Sequence, residues 1–329
     1  MLMKNDIAVV ITTINPPTEA LLTWAGKFHT IVVPDKKTPI TTFQSSPVSL
    51  LPLNEIYGLK QLPWNHYCRK NLGYLHAAHK GFSYILDTDD DTFYDGVRHP
   101  LEFGNKVHFA TSESSFVNVY KLRYNKKIIW PRGFPLDSLQ ALPMRNTSKQ
   151  DEHRYDIVQY LINGDTDVDA IHRLVFGVSD INFESSGNID IIPSGYICPF
   201  NSQLTLFGKE VFPTLYLPCT VTFRFTDILR GIIAKRVLDA SGLTLAFADS
   251  IGFQVRNQHN YMDDFHSEIP CYTQTRLAWD SLGELNGNSI VANMRLAYQI
   301  LCEKGIVQKL EAEILDKWLS AMPNCGGQA

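Results

Sequence analysis

Four carboxylates crowd into five residues of the run YILDTDDDT, residues 84–92: Asp87, Asp89, Asp90 and Asp91. Ionised acids this close repel one another, so the stretch is either a solvated turn, where Asp is well tolerated, or a place where a cation compensates the charge. Hard divalent ions take carboxylate oxygens, and Mg²⁺ or Mn²⁺ is typically held by one or two carboxylates together with the phosphates of a substrate. The acids close FSYILDT, a β-branched and aromatic segment bounded by Gly81 that reads as a short buried strand. Ligands of open α/β sheets gather outside the carboxyl ends of the strands. The chemistry expected of this stretch is the binding of a metal and a diphosphate.

The elements around it are arranged to serve such a site. IAVVITT reads as a first strand ending at Thr12 and Thr13, and Thr18 and Glu19 open an amphipathic helix. HTIVVPDKKTP reads as a second strand ending at Asp35, and NHYCRKNLGYLHAAHKG as a helix closed by Gly81. Strand, helix, strand, helix, strand is the alternation of an α/β fold, a mostly parallel sheet flanked by helices. It brings Thr12, Thr13, Asp35 and the RKN triplet (Arg69, Lys70, Asn71) toward the acidic turn. Asp35 is suited to accept hydrogen bonds from a base or ribose, and Arg69 offers a fork of donors for phosphate oxygens. A plain turn residue and an exposed helix face are the alternatives for these two.

Beyond Asp91 the pattern loosens. KVHFAT and VNVYKL read as short strands, DILRGIIAKRVLDASG as a helix from Asp227 to Gly242, and the C-terminal segment as a helical pair interrupted near Gly305. The expected division is one catalytic domain over 1–275, with a nucleotide-binding half (1–95) and an acceptor or sugar half (96–275), followed by a helical extension over 276–329.

With 44% hydrophobic and 19% charged residues, the 329-residue chain has an ordinary globular composition. A net charge of −4 and a pI near 6.2 argue against nucleic acid as a partner. The six cysteines follow neither metal-ligand nor disulfide-framework spacing, and suit a reducing compartment. No segment reaches transmembrane length. The expectation is a soluble, cytoplasmic protein, with a Golgi-lumenal piece as the alternative.

Taken in order, VVITTINPPTEAL, DKKTP, LPWNHYCRKNLGYLHA, DTDDD, WPRGFPL, NGDTDVDAIHRL, PFNSQLTLF, FTDILRGIIAKRVL and QVRNQHNYMDDF resemble the glycosyltransferase-like domain of STELLO proteins. More loosely, the chain is similar to the reversibly glycosylated polypeptides, the UDP-arabinopyranose mutases. The resemblance runs from about residue 7 to 268. It implies the type A glycosyltransferase fold, Rossmann-like, with an Asp-x-Asp motif that binds a nucleotide sugar through a metal.

On this resemblance Asp89 and Asp91 form the Asp-x-Asp pair that binds Mn²⁺ or Mg²⁺, with Asp90 or Asp89 toward the ribose. His259 in RNQHNY is the third metal ligand. Asp227, at the head of its helix, is either the catalytic base or a cap for free backbone N–H groups. Arg132, in the stiff loop WPRGFP, is suited to a diphosphate or a sugar, with a structural salt bridge as the alternative. Asp167, Asn201 and Gln203 face the sugar or its acceptor. The activity implied is transfer of a hexosyl or pentosyl group from a UDP-sugar to a glycan or other hydroxyl acceptor. A UDP-sugar mutase and a non-catalytic scaffold that binds nucleotide sugars are the alternatives.

Overall fold

The computed structural model describes residues 6–124, 126–147, 155–177, 180–183, 185–257 and 260–323. Four strands from the first part of the chain, β1 (Ile7–Thr13), β2 (His29–Pro34), β3 (Ser49–Leu50) and β4 (Tyr84–Thr88), lie side by side in the order β3-β2-β1-β4, all parallel. β1 alternates its side chains between two cores. Ala8 and Val10 point to one face of the sheet, and Ile7, Val9 and Ile11 to the other, as the two-residue period of a strand covered on both sides requires.

Past β4 the chain makes β5 (Thr92–Tyr94), β6 (Lys106–Ser112), β7 (Pro143–Thr147), β8 (Ile157–Tyr160), β9 (Asn163–Gly164), β10 (Asn188–Ile192), β11 (Leu204–Gly208), β12 (Leu245–Ala248) and β13 (Gly252–Gln254). Six of these complete a ten-stranded sheet in the order β3-β2-β1-β4-β11-β8-β12-β10-β6-β7. Strand directions are mixed in this second half, where β11 is antiparallel to both neighbours. β5, β13 and β9 form a separate small sheet. It carries the acidic turn's continuation at one edge.

α1 (Glu19–Ala25) is capped by the Thr18 hydroxyl, which accepts the N–H of Leu21, and covers one sheet face with Leu21 and Trp24. The opposite face is covered by α2 (Lys70–His79), which packs so closely on β1 and β2 that a Cβ at Gly73 would lie 2.5–2.6 Å from methyls of Val33 and Val10. VNVYKL departs from the strand expectation. Its residues 119–122 lie in the short helix α3 (Val119–Arg123), because the Asn118 side chain accepts the Lys121 N–H and caps a helical turn that β-branched Val117 and Val119 only weakly oppose.

After α4 (Ala170–Phe176), the long α5 (Thr226–Ser241) is buried along most of its length and ends on Gly242 in the left-handed region, φ 65°. α6 (Tyr261–Leu282), α7 (Ile290–Glu303) and α8 (Leu310–Ala321) follow, with Gly305 between the last two. Residue 275 lies inside α6. Trp279, Leu301 and Trp318 join the same core as α2 and α5. Among the described residues no helix is long and apolar enough to cross a membrane.

Candidate functional site

A cleft of about 440 Å³ opens at the carboxyl ends of β1, β2 and β4, lined by residues that include Thr12, Thr13, Asn15, Asp35, Tyr67, Asp89, Asp90, Asp91, Phe223, Arg224, Gln254 and Arg256. The four acids of the turn are separated by role. Asp87 points down into the core, fully buried, where Lys70 Nζ lies 2.7 Å from one oxygen and Arg230 donates to the other at 3.2 Å from two nitrogens. Two buried cations remove its share of the repulsion.

Asp90 turns toward β1. One of its oxygens accepts from the Thr13 hydroxyl and, at 3.0 Å, from Asn15 Nδ2, while its carbonyl accepts from Thr18 Oγ1, the cap of α1. This ties the acidic turn to the β1–α1 connection. Asp89 and Asp91 are left to face the cleft. Asp89 accepts from the Tyr67 hydroxyl and from Lys70 at 3.3 Å, and Asp91 from Gln254 Nε2 at 2.8 Å. Burial pushes the Asp89 carboxyl up to about 7, with the Asp91 charge adding to it against the pull of Lys70. Burial raises the Asp91 carboxyl as well, and Asp90 adds to the rise.

The remaining walls come from distant parts of the chain. Asp35 follows β2 directly and accepts the N–H groups of Lys36 at 2.6 Å and Asn65 at 2.8 Å, which fixes a loop whose Asn65 sits at φ 54°. Residues 216–224, between the 3₁₀ turn Lys209–Leu215 and α5, form a strap that brings the exposed Phe223 ring and the largely buried Arg224 side chain to the cleft. Arg256 follows β13. Its side chain is only 6% exposed, yet Nε and Nη1 have no hydrogen-bond partner among the described residues. A buried guanidinium with two unmatched nitrogens, in the same cleft as two carboxylates, has free donors of the kind an anion takes.

Behind the cleft lies a buried ion network. Arg132 donates to Asp227 from Nη1 at 3.0 Å and Nη2 at 2.8 Å, and to Asp167 from Nε at 3.0 and 3.1 Å. Gly133, at φ 82°, brings this loop so near α5 that a Cβ there would be 2.5 Å from Ile228. Asp167 also accepts from Asn201 Nδ2 at 2.6 Å and lies 3.4 Å from Arg256 Nη2. Burial would raise the Asp167 carboxyl, but Arg132, Arg224 and Arg256 together hold it well below the usual carboxylate range. Gln203 donates to Gln254 Oε1, so it stands one link from Asp91.

The expected site residues therefore divide into two groups. Thr12, Thr13, Asp35, Asp89, Asp90 and Asp91 share the cleft. Arg132, Asp167, Asn201, Gln203 and Asp227 lie in the buried network behind it. Asp227 accepts two further bonds, from the N–H groups of Ser202 at 3.2 Å and Ile228 at 3.0 Å, so both of its oxygens are engaged. Asn71 gives its whole amide to the backbone of Leu217, at 2.8 and 2.9 Å, and Arg69 lies 3.7 Å over the Trp64 ring with Asp35 at 4.0 Å. Neither lines the cleft. His259 lies outside the described residues.

Tyr67, Gln254 and Arg256 belong to the site without having been singled out for it, and of the RKN triplet it is Lys70 that reaches the acids. Among the described residues no three His, Cys, Asp or Glu side chains are grouped to hold a metal. Asp89 and Asp91 nevertheless fit one. Both are carboxylates, the hard donors that Mg²⁺ and Mn²⁺ take, and both are raised by burial in a cleft where a cation would favour their ionised forms.

The family model of STELLO glycosyltransferases matches residues 224–326, from Arg224 past the end of α8. Among curated proteins, "Probable glycosyltransferase STELLO2" of Arabidopsis thaliana is 24% identical over 292 residues, covering 82% of this chain and 38% of that protein. "Probable glycosyltransferase STELLO1" of the same plant is 27% identical over 198 residues, 55% of this chain and 26% of that protein. The chain thus spans less than half the length of these relatives. Among solved structures, glucosyl-3-phosphoglycerate synthase from Mycobacterium tuberculosis superposes with a TM-score of 0.43 at 12% identity, over 84% of this chain and 80% of that one. That likeness is loose, and the fold described above rests on the chain's own strands and helices.

Proposed function

We propose that this chain, which carries a STELLO-type glycosyltransferase-like domain, transfers a sugar from a UDP-sugar to a hydroxyl acceptor with the help of a divalent cation. The observation that carries this reading is that one cleft is lined both by Asp89 and Asp91 and by the Arg256 guanidinium, whose Nε and Nη1 have no hydrogen-bond partner among the described residues. Carboxylates alone suit a cation and an arginine alone suits an anion. Both in one cleft suit a cation bound together with a diphosphate.

Asp89 and Asp91 would hold Mn²⁺ or Mg²⁺, and the chemistry supplied there is neutralisation of the charge gathered by a leaving diphosphate. The chain's own residues account for the rest. Arg256, with Arg224 beside it, offers fixed donors to the diphosphate as its bond to the sugar breaks, and such preorganised donors stabilise developing charge most where water is excluded. Asp35 and the Asn65 loop wall the end of the cleft where a nucleoside would lie, with Phe223 as an apolar cover. Gln254 orients Asp91. Asp167, Asn201 and Gln203 lie behind Gln254 and Arg256, and their part in this reading is to hold that wall in place. Asp227, with both oxygens engaged, serves here as a clamp on Arg132.

The test is calorimetric. UDP binding should strengthen severalfold or more when Mn²⁺ is added, and Asp91→Ala should remove most of that gain. UDP affinity that is the same with and without metal would overturn the metal-diphosphate reading.

A further inference from the structure

α8 carries a buried charge that the cleft does not touch. Glu311, in the first turn of α8, is fully buried, and every partner of its carboxylate comes from the strap. The Tyr216 hydroxyl donates to Oε1 at 2.5 Å, and the Cys219 N–H lies 3.0 and 3.1 Å from the two oxygens. Thr220 donates to Oε2 twice, from its N–H at 2.8 Å and its hydroxyl at 2.5 Å. These partners are all neutral donors. A buried carboxylate is costly, and only a full set of well-placed donors offsets that cost.

The same strap reaches the cleft within four residues. Val221 O lies 3.1 Å from His66 Nε2, and the Cys68 N–H donates to His66 Nδ1, so the imidazole proton sits on Nε2 and is donated to Val221. Phe223 then packs edge-on to Tyr67, the donor to Asp89, with ring centroids 5.4 Å apart. Arg224 is held by Glu268 of α6 at 2.6 Å. The strap is thus fixed from below by Glu311, in the middle by His66 and at its end by Glu268.

We infer that Glu311 is a positioning residue for the donor cleft: its carboxylate gathers the strap's donors and so sets where Phe223 and Arg224 stand. This rests on the reading of the cleft as the UDP-sugar site. The carboxylate form is required by the chemistry, since a glutamine would turn an NH₂ group toward one set of donors and leave them unmatched. The C-terminal helices, on this account, help to build the site from a distance.

The experiment compares the parent chain with Glu311→Gln, reading UDP affinity in Mn²⁺ and amide hydrogen exchange. Faster exchange at Cys219 and Thr220, unchanged exchange in β1 and β4, and UDP binding weakened tenfold or more are expected. Leu319→Ala, a core truncation in the same helix, should lower the melting temperature while keeping UDP affinity within twofold, which separates positioning from mere stability. A folded Glu311→Gln that loosens the strap yet binds UDP within twofold of the parent overturns the role. Where Glu311→Gln does not fold, Thr220→Val decides: UDP binding weaker by threefold or more supports the role, and unchanged binding overturns it. A parent chain that does not bind UDP overturns the donor reading and this role with it.

Discussion

Asp227 and Arg132, 95 positions apart in the chain, face each other as a two-pronged pair, Nη1 to Oδ1 at 3.0 Å and Nη2 to Oδ2 at 2.8 Å. Both side chains are buried. The family resemblance leaves Asp227 as either the catalytic base or a helix cap, and the pair with Arg132 gives it a competing duty. A general base removed by amide substitution leaves stability near that of the parent and lowers transfer by roughly a hundred- to ten-thousandfold. A clamp removed the same way leaves Arg132 partly uncompensated in the interior. Breaking a buried ion pair costs about 3–5 kcal/mol, and since Arg132 retains Asp167, Asp227→Asn should lose about 3 kcal/mol in urea unfolding. Arg132→Met should lose a similar amount, and the double variant should lose clearly less than the sum. An Asp227→Asn protein as stable as its parent but devoid of transfer would return the residue to the base role.

Much of this arrangement was readable before any coordinates. β1 occupies the residues of the IAVVITT run, and α5 ends at Gly242 as the glycine signals. These are local properties, written in period and capping chemistry. What could not be read was pairing at long range. Nothing around Asp87 announces that Lys70 and Arg230 neutralise it, and it is the family resemblance, not the local sequence, that sets Asp89 and Asp91 apart from their neighbours. Arg256 sits in a loop with no periodicity, and only the folding of β13 against β5 and β9 buries it unsatisfied on the cleft wall. Asn71 looked like a polar group near a nucleotide. Its amide is spent on Leu217, a contact 146 positions away.

Asp169 gives the stability a pH dependence of definite sign. It caps α4, accepting the His172 N–H at 2.8 Å and the Trp130 indole N–H at 2.6 Å. Burial nevertheless raises its carboxyl from 3.8 to about 7. A carboxyl raised in the folded state holds more protons there than in the unfolded chain between those two values, so its contribution to stability falls as pH rises through that window and is constant above it. Asp169→Asn cannot titrate. The stability of the parent relative to Asp169→Asn should therefore decline from about pH 4 to about pH 7 and then level off, as measured by urea unfolding at a series of pH values. A difference that grows with pH over this range would mean that the two donors outweigh burial.

The final prediction concerns Arg256 and separates an anion site from a structural arginine. Its neighbours carry both signs of charge: burial, Arg173 and Arg224 lower its pKa against Asp167, 3.4 Å from one nitrogen, and Asp165. Nε and Nη1 have no hydrogen-bond partner among the described residues, and a ligand with two negative phosphates would supply acceptors for them. Charge-assisted hydrogen bonds are worth about 1.5–3 kcal/mol, so Arg256→Gln should weaken UDP binding by roughly tenfold to a hundredfold. Uridine lacks the phosphates and should bind the parent and the variant alike. Arg256→Lys keeps the charge but loses the planar fork, so its UDP affinity should fall between the two. Equal losses for UDP and uridine would instead place Arg256 among the residues that only hold the cleft in shape.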